Sequence, residues 1–129
     1  MARKVTLSGT WREGSNVVSC KIPLIVFKED ETFVVYCPAL DLNGSGNTET
    51  EARNSFSISL SEYFKYTTHK KTLAEDLSKH GWKIKKSKRN WAIPPSMVQI
   101  LKTNDDFNRI FNNYDYKKTD TTVEIPCAV

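Results

Sequence analysis

An α+β fold with a mainly antiparallel sheet is the architecture that this 129-residue sequence predicts. Three observations point to it. Residues 1–36 read as strands, before any helical pattern begins. A stripe of apolar residues at helical spacing then opens at Ala52. A last β-branched segment, Thr121 to Val129, follows the helices. Strands are therefore grouped and do not alternate one for one with helices, as a parallel sheet would require. The expected sheet is antiparallel, of about three to four strands. A main amphipathic helix packs on one face, with short C-terminal helices and the terminal strand added after it.

The strands come first. Val5 and Leu7 alternate with polar neighbours, and Gly14-Ser15-Asn16 supplies a turn. Val17 to Phe27 is long, β-branched and apolar. Pro23 sits inside it with no N–H for a ladder, so its position calls for an edge, a bulge or a change of register. Lys28-Glu29-Asp30-Glu31 is a short charged turn, and Thr32 to Tyr36 returns as the other arm of a hairpin. Gly44-Ser45-Gly46 reads as a glycine-rich turn leading into a helix.

The main helix is expected from Thr48 to about Tyr66. Thr48 and Glu51 have capping-box spacing, and Ala52, Phe56, Leu60 and Phe64 recur every fourth residue, with Ile58 on the flank. Glu49 and Glu51 in the first turn and Lys65 in the last suit the helix dipole. A shorter helix runs from Thr72 to His80. Thr72 and Glu75 have the spacing of another capping box, and Gly81 stands where a left-handed C-terminal residue belongs. Trp82-Lys83-Ile84 reads as a brief strand. Pro94-Pro95 precedes a third helix over Ser96 to Lys102, and Asn104 or Asp105 caps a further turn with Phe107, Ile110 and Phe111. Tyr114 to Asp120 reads as polar and turn-rich, ahead of the terminal strand.

Composition fits a single globular domain over residues 1–129, with 39% hydrophobic and 26% charged residues. The core is expected at about 17–84. The extension at about 92–129 shows no DNA-binding module, because it lacks a second long helix after a turn. No apolar run reaches membrane-spanning length, and Met1 to Thr6 lacks a secretory apolar region. Cys20, Cys37 and Cys127 are odd in number and lack metal spacing, so they are read as reduced thiols of a cytoplasmic protein.

No side chain presents itself for catalysis, cofactor binding or metal ligation. Gly44 and Gly46 lack the Lys-Ser/Thr or third glycine of a phosphate-binding motif. His69 and His80 have no framing acids, while Asp30, Asp41, Glu51, Glu62, Glu75 and Asp76 sit where turns, caps and solvated helix faces want them. The net charge of +4 leaves an acidic partner or nucleic acid open. Lys83, Lys85, Lys86, Lys88 and Arg89 form a basic run flanked by Trp82 and Trp91. It is read as a solvated segment with both indoles turned inward. The alternative is a phosphate-binding surface with the tryptophans as stacking platforms.

The segment Tyr36-Cys37-Pro38-Ala39-Leu40, the turn Gly44 to Thr48 and the helix opening Glu51-Ala52 resemble the HicB antitoxin family. The matching positions are Pro38, Leu40, Gly46, Asn47, Thr48, Glu51 and Ala52, within a likeness over about residues 17–66. The family's commoner Pro-Gly-Cys is replaced here by Asp41-Leu42-Asn43. The resemblance implies a β-β-β-α-β core likened to a partial RNase H fold without catalytic acids. It implies a protein partner, a small HicA-like toxin ribonuclease, which the chain would neutralise by steric occlusion. It implies no cofactor. The apolar terminal strand needs a mate, the first or second strand of its own subunit or of a neighbour, and a homo-oligomer, dimer or larger, is expected. A nucleic-acid (RNA) binding module built on Lys83 to Arg89 is the alternative function.

Overall fold

A computed structural model of the chain describes residues 3–4, 17–84 and 92–126. The strands are β1 (Arg3–Lys4), β2 (Val17–Glu29), β3 (Thr32–Cys37) and β4 (Leu42–Gly46), then β5 (Lys83–Ile84), β6 (Ala92–Ile93) and β7 (Tyr116–Pro126). The helices are α1 (Glu49–Lys70), α2 (Leu73–Lys79), α3 (Met97–Thr103) and α4 (Asp105–Asn113). The main sheet has the order β1-β7-β2-β3-β4, and β5-β6 form a separate pair. β7, β2, β3 and β4 are antiparallel throughout, and the two-residue β1 runs parallel to β7. The expected α+β class holds. Val5, Leu7, the Gly14–Asn16 turn, Trp91 and Cys127 lie outside the described residues.

The main helix packs on one face of the sheet, as expected, and the region around α4 packs on the other. Residues opposite each other in an antiparallel pair share a face, and alternate residues switch faces. Val26 pairs with Val35, and Val35 with Gly44, so these three share a face. Gly44 meets the backbone of α1 there. Ile25 and Tyr36, with Phe27 and Tyr116, look the other way. Asn104 and Tyr114, flanking α4, reach Tyr36 and Phe27, and Phe111 of α4 stacks on Tyr116 with ring centroids 5.6 Å apart. That second layer explains why Leu24-Ile25-Val26-Phe27 are all buried. An unbroken apolar run is what a strand covered on both sides looks like.

Gly44-Ser45-Gly46 is a strand, not the expected turn. β4 pairs residue for residue with β3, from Cys37 opposite Leu42 to Phe33 opposite Gly46. The glycines are required by proximity. A Cβ on Gly44 would lie 2.1 Å from the Phe56 nitrogen and 2.7 Å from the Ala52 carbonyl oxygen. Helix α1 therefore rests on bare strand backbone. It also blunts the edge it covers, since the Ser45 N–H donates to the Ser55 hydroxyl at 3.2 Å.

Pro23 obeys its constraint. β3 pairs with β2 only from Ile25 onward, so Pro23 has a ladder neighbour on the β7 side alone. The turn before β3 is tight, with Asp30 at φ 56°.

Helix α1 starts as expected. Thr48 is extended, and its hydroxyl accepts the Glu51 N–H at 3.1 Å. The Glu51 carboxylate accepts the Asn47 N–H at 2.9 Å, one residue before the usual capping-box donor. The helix outlasts Tyr66 by one turn. Thr67 continues the buried stripe, and its hydroxyl bonds back to the Tyr63 carbonyl at 2.8 Å. Lys71 then turns left-handed, and Thr72 N–H closes onto the Thr67 carbonyl. This overturns the capping box expected at Thr72. Its backbone is committed to ending α1, at φ −115° and ψ 7°, and its side chain caps nothing in α2. Gly81 does fulfil its expected role, with φ +90° and the Trp82 N–H bonded to Leu77 O. Ser96 and Gln99 form a full capping box on α3, and Asn104 caps α4.

Tyr116 to Asp120 belongs to β7 and is not turn-rich. β7 pairs with β2 over eleven residues, from Tyr116 opposite Phe27 to Pro126 opposite Val17. The terminal strand thus finds its mate in its own chain. Among the described residues, no helix is long and apolar enough to cross a membrane.

Candidate functional site: a groove at the helical end of the sheet

Three segments distant in sequence meet around a groove of about 560 Å³. Pro38 and Asp41 come from the β3–β4 connection, Ser78 to Gly81 from the end of α2, and Ile100 with Thr103 to Asp106 from the α3–α4 corner.

Two hydrogen-bonded ties hold these walls together. Trp82 is 4% exposed, and its indole N–H donates to the Ala39 carbonyl at 2.7 Å. This joins the α2 wall to the β3–β4 wall. Tyr36 makes the second tie. Its hydroxyl donates to the Asp41 carboxylate at 2.7 Å and accepts the Asn104 amide N–H at 2.8 Å. Burial first, and the Asp41 hydrogen bond next, raise the Tyr36 phenol above its ordinary pKa, so it stays protonated and donating. Asn104 is used at every polar atom that matters. Its backbone N–H ends α3 on Ile100 O, its side-chain oxygen accepts the Phe107 N–H, and its amide holds Tyr36.

His80 lies on the α2 wall. Its Nδ1 is 2.9 Å from the Asp76 carbonyl oxygen, which can only accept. Nδ1 therefore donates to that carbonyl. The Asp76 carboxylate stands 3.6 Å from Nδ1 and accepts the Tyr63 hydroxyl. Burial first, then Asp76, raises the Tyr63 phenol. Among the described residues, no group of three or more His, Cys, Asp or Glu is placed to hold a metal ion. Cys20 and Cys37 are buried, and burial pushes their thiols up to about 11 and about 12. Both are inert thiols at neutral pH.

The seven motif residues are brought together, as architecture. Pro38, Leu40 and Ala52 are buried. Gly46 must lack a side chain because a Cβ would come within 2.5 Å of Glu51 Cβ. Asn47, Thr48 and Glu51 exchange the bonds that start α1. Of the basic run, Lys83 is exposed on β5, which pairs antiparallel with β6. Lys85, Lys86, Lys88 and Arg89 lie outside the described residues. Trp82 faces inward as expected, which removes it as a stacking platform.

The groove was not foreseen. In sequence Asp41 reads as one more acid of turns, caps and helix faces, His80 shows no framing acid although Asp76 stands 3.6 Å from its Nδ1, and Asp105-Asp106 look like the acidic first turn of any helix. No local pattern announces that these places meet. Comparison with family models, with curated proteins and with solved structures finds no match to this chain.

Proposed function

We propose that the chain acts by binding, as a HicB-like antitoxin-type protein that neutralises a small basic HicA-like toxin ribonuclease by steric occlusion. One observation carries the reading. Gly46, Asn47, Thr48 and Glu51 of the motif join β4 to the start of α1, and its Pro38, Leu40 and Ala52 are buried. Such a motif specifies a scaffold and leaves none of its members for chemistry. The chain order also supports the reading: three antiparallel strands, a long helix, then a later strand returning beside the first of the three.

In this reading the protein is cytoplasmic, is not an enzyme and takes no cofactor. A homo-oligomer belongs to it, and β7 is the element that a two-fold exchange would swap. The test is co-expression with the small basic protein encoded by a neighbouring gene. The expected outcome is growth rescue, a co-purifying complex and loss of RNA cleavage by the purified partner. Failure of both rescue and complex formation overturns the antitoxin reading. RNA or DNA cleavage by this chain alone with Mg²⁺ or Mn²⁺, abolished by a single acid substitution, overturns the non-enzyme reading.

A further inference from the structure

We propose that the groove between the β3–β4 connection, the end of α2 and the α3–α4 corner receives an arginine side chain from a basic partner protein. The inference rests on the reading above that the partner is basic, and it names where on this chain that partner is held.

The argument is one of shape and charge together. The base of the groove is apolar, since Pro38 is buried and Ile100 is 3% exposed. Its rim carries the exposed carboxylates Asp41, Asp105 and Asp106 against one lysine, Lys79. The lining side chains therefore sum to net negative in a chain whose net charge is +4. Its three carboxylates set this concavity apart from the chain's overall positive balance. An apolar base with an anionic rim matches a side chain that has an aliphatic stem and a cationic head. Arginine fits better than lysine because its planar head can meet two carboxylates at once through paired N–H donors.

The site is also preformed. Asp41 is held by Tyr36, Tyr36 by Asn104, and the α2 wall by Trp82. At Asp41 an incoming cation would meet an acceptor already oriented, which lowers the ordering cost of binding there. The Nδ1–H of His80 is taken up by the Asp76 carbonyl.

The experiment titrates the full chain with the peptide acetyl-Gly-Arg-Gly-Arg-Gly-amide while backbone amide shifts are followed by NMR. The same peptide with citrulline at both arginines is the neutral control. The expected result is a set of shifts confined to Gly81, Thr103, Asn104 and their neighbours, weakening as salt rises. Asp41→Asn with Asp105→Asn and Asp106→Asn preserves shape and removes charge. It should weaken binding at least about tenfold, as each lost ion pair in a preformed site contributes to affinity. If the triple variant does not fold, Asp105→Asn/Asp106→Asn and the citrulline peptide carry the same comparison. Equal binding of the citrulline peptide, shifts elsewhere on the molecule, or undiminished binding by the variants overturns the proposal. The ribonuclease assay separates the two readings. If the triple variant neutralises the toxin as well as the parent does, the groove proposal fails and the antitoxin reading stands. If the arginine peptide binds here but no ribonuclease is neutralised, the antitoxin reading fails and the groove stands.

Discussion

Replacing Gly44 with alanine should cost far more than any glycine-to-alanine change inside a strand ordinarily does. Taken alone, the strand would gain, since glycine in a strand interior is destabilising by roughly 0.5–1 kcal/mol relative to alanine. The structure reverses the sign. The new methyl would stand 2.1 Å from the Phe56 nitrogen, 2.6 Å from its Cα and 2.7 Å from the Ala52 carbonyl oxygen. All three are backbone atoms of α1, so no rotamer change relieves the contact. Reaching ordinary contact requires α1 to retreat from β4 by more than 1 Å. That retreat lifts Ala52, Phe56 and Leu60 off the sheet, where each is at most 1% exposed. Overpacking of a filled interior costs about 1–3 kcal/mol, and a clash against rigid backbone belongs at or above the top of that range. For a chain of this size, about 3 kcal/mol lowers the urea midpoint by about 1–2 M. The assay is urea unfolding followed by circular dichroism, with Ser45→Ala on the same strand as control. A midpoint for Gly44→Ala equal to or above the parent's would refute the close approach of α1 to β4.

Other expected outcomes follow from the same geometry. Thr48→Ala should lose about 1 kcal/mol with its helix cap, whereas Thr72→Ala should be nearly neutral because its hydroxyl caps nothing in α2; equal losses in urea unfolding would contradict this. Cys20 and Cys37 should resist a maleimide at pH 8 in the native protein and react in denaturant, because burial holds both thiols protonated; peptide mass spectrometry after labelling reads this out. Glu49 has its carboxyl held below the usual range by the Lys117 and then the Arg53 hydrogen bonds. Its folded pKa is depressed, so its contribution is present above the unfolded value of about 4.3 and fades as pH falls through the folded one. Glu49→Gln should therefore be less stable than the parent near neutral pH, by less than about 1 kcal/mol because the pair is partly solvated, and the gap should close in acid.

Local signals sufficed wherever a residue's role depends on its near neighbours. The Ala52-Phe56-Leu60-Phe64 stripe, the Thr48 cap and the left-handed Gly81 were legible because a helix's bonds and buried face repeat within four residues. The Val17–Phe27 strand and its return at Thr32 were legible for a similar reason, an apolar β-branched run bounded by a charged turn. Tertiary structure decided the rest. Residues 116–120 form a strand because β2 lies beside them, some ninety positions away in sequence, although their own composition shows no alternation. Gly44 and Gly46 look like turn glycines in sequence, and only the approach of α1 shows that they are strand residues stripped of side chains. Thr72 has the right spacing for a cap, but its backbone had already been committed to closing the preceding helix. The groove depends most on the fold, since Asp41, His80 and Asp106 become neighbours only when the sheet is covered on both faces. A sequence records short-range periodicity directly, whereas which distant surfaces meet depends on how the elements bury their remaining apolar area, and that is settled only when they pack.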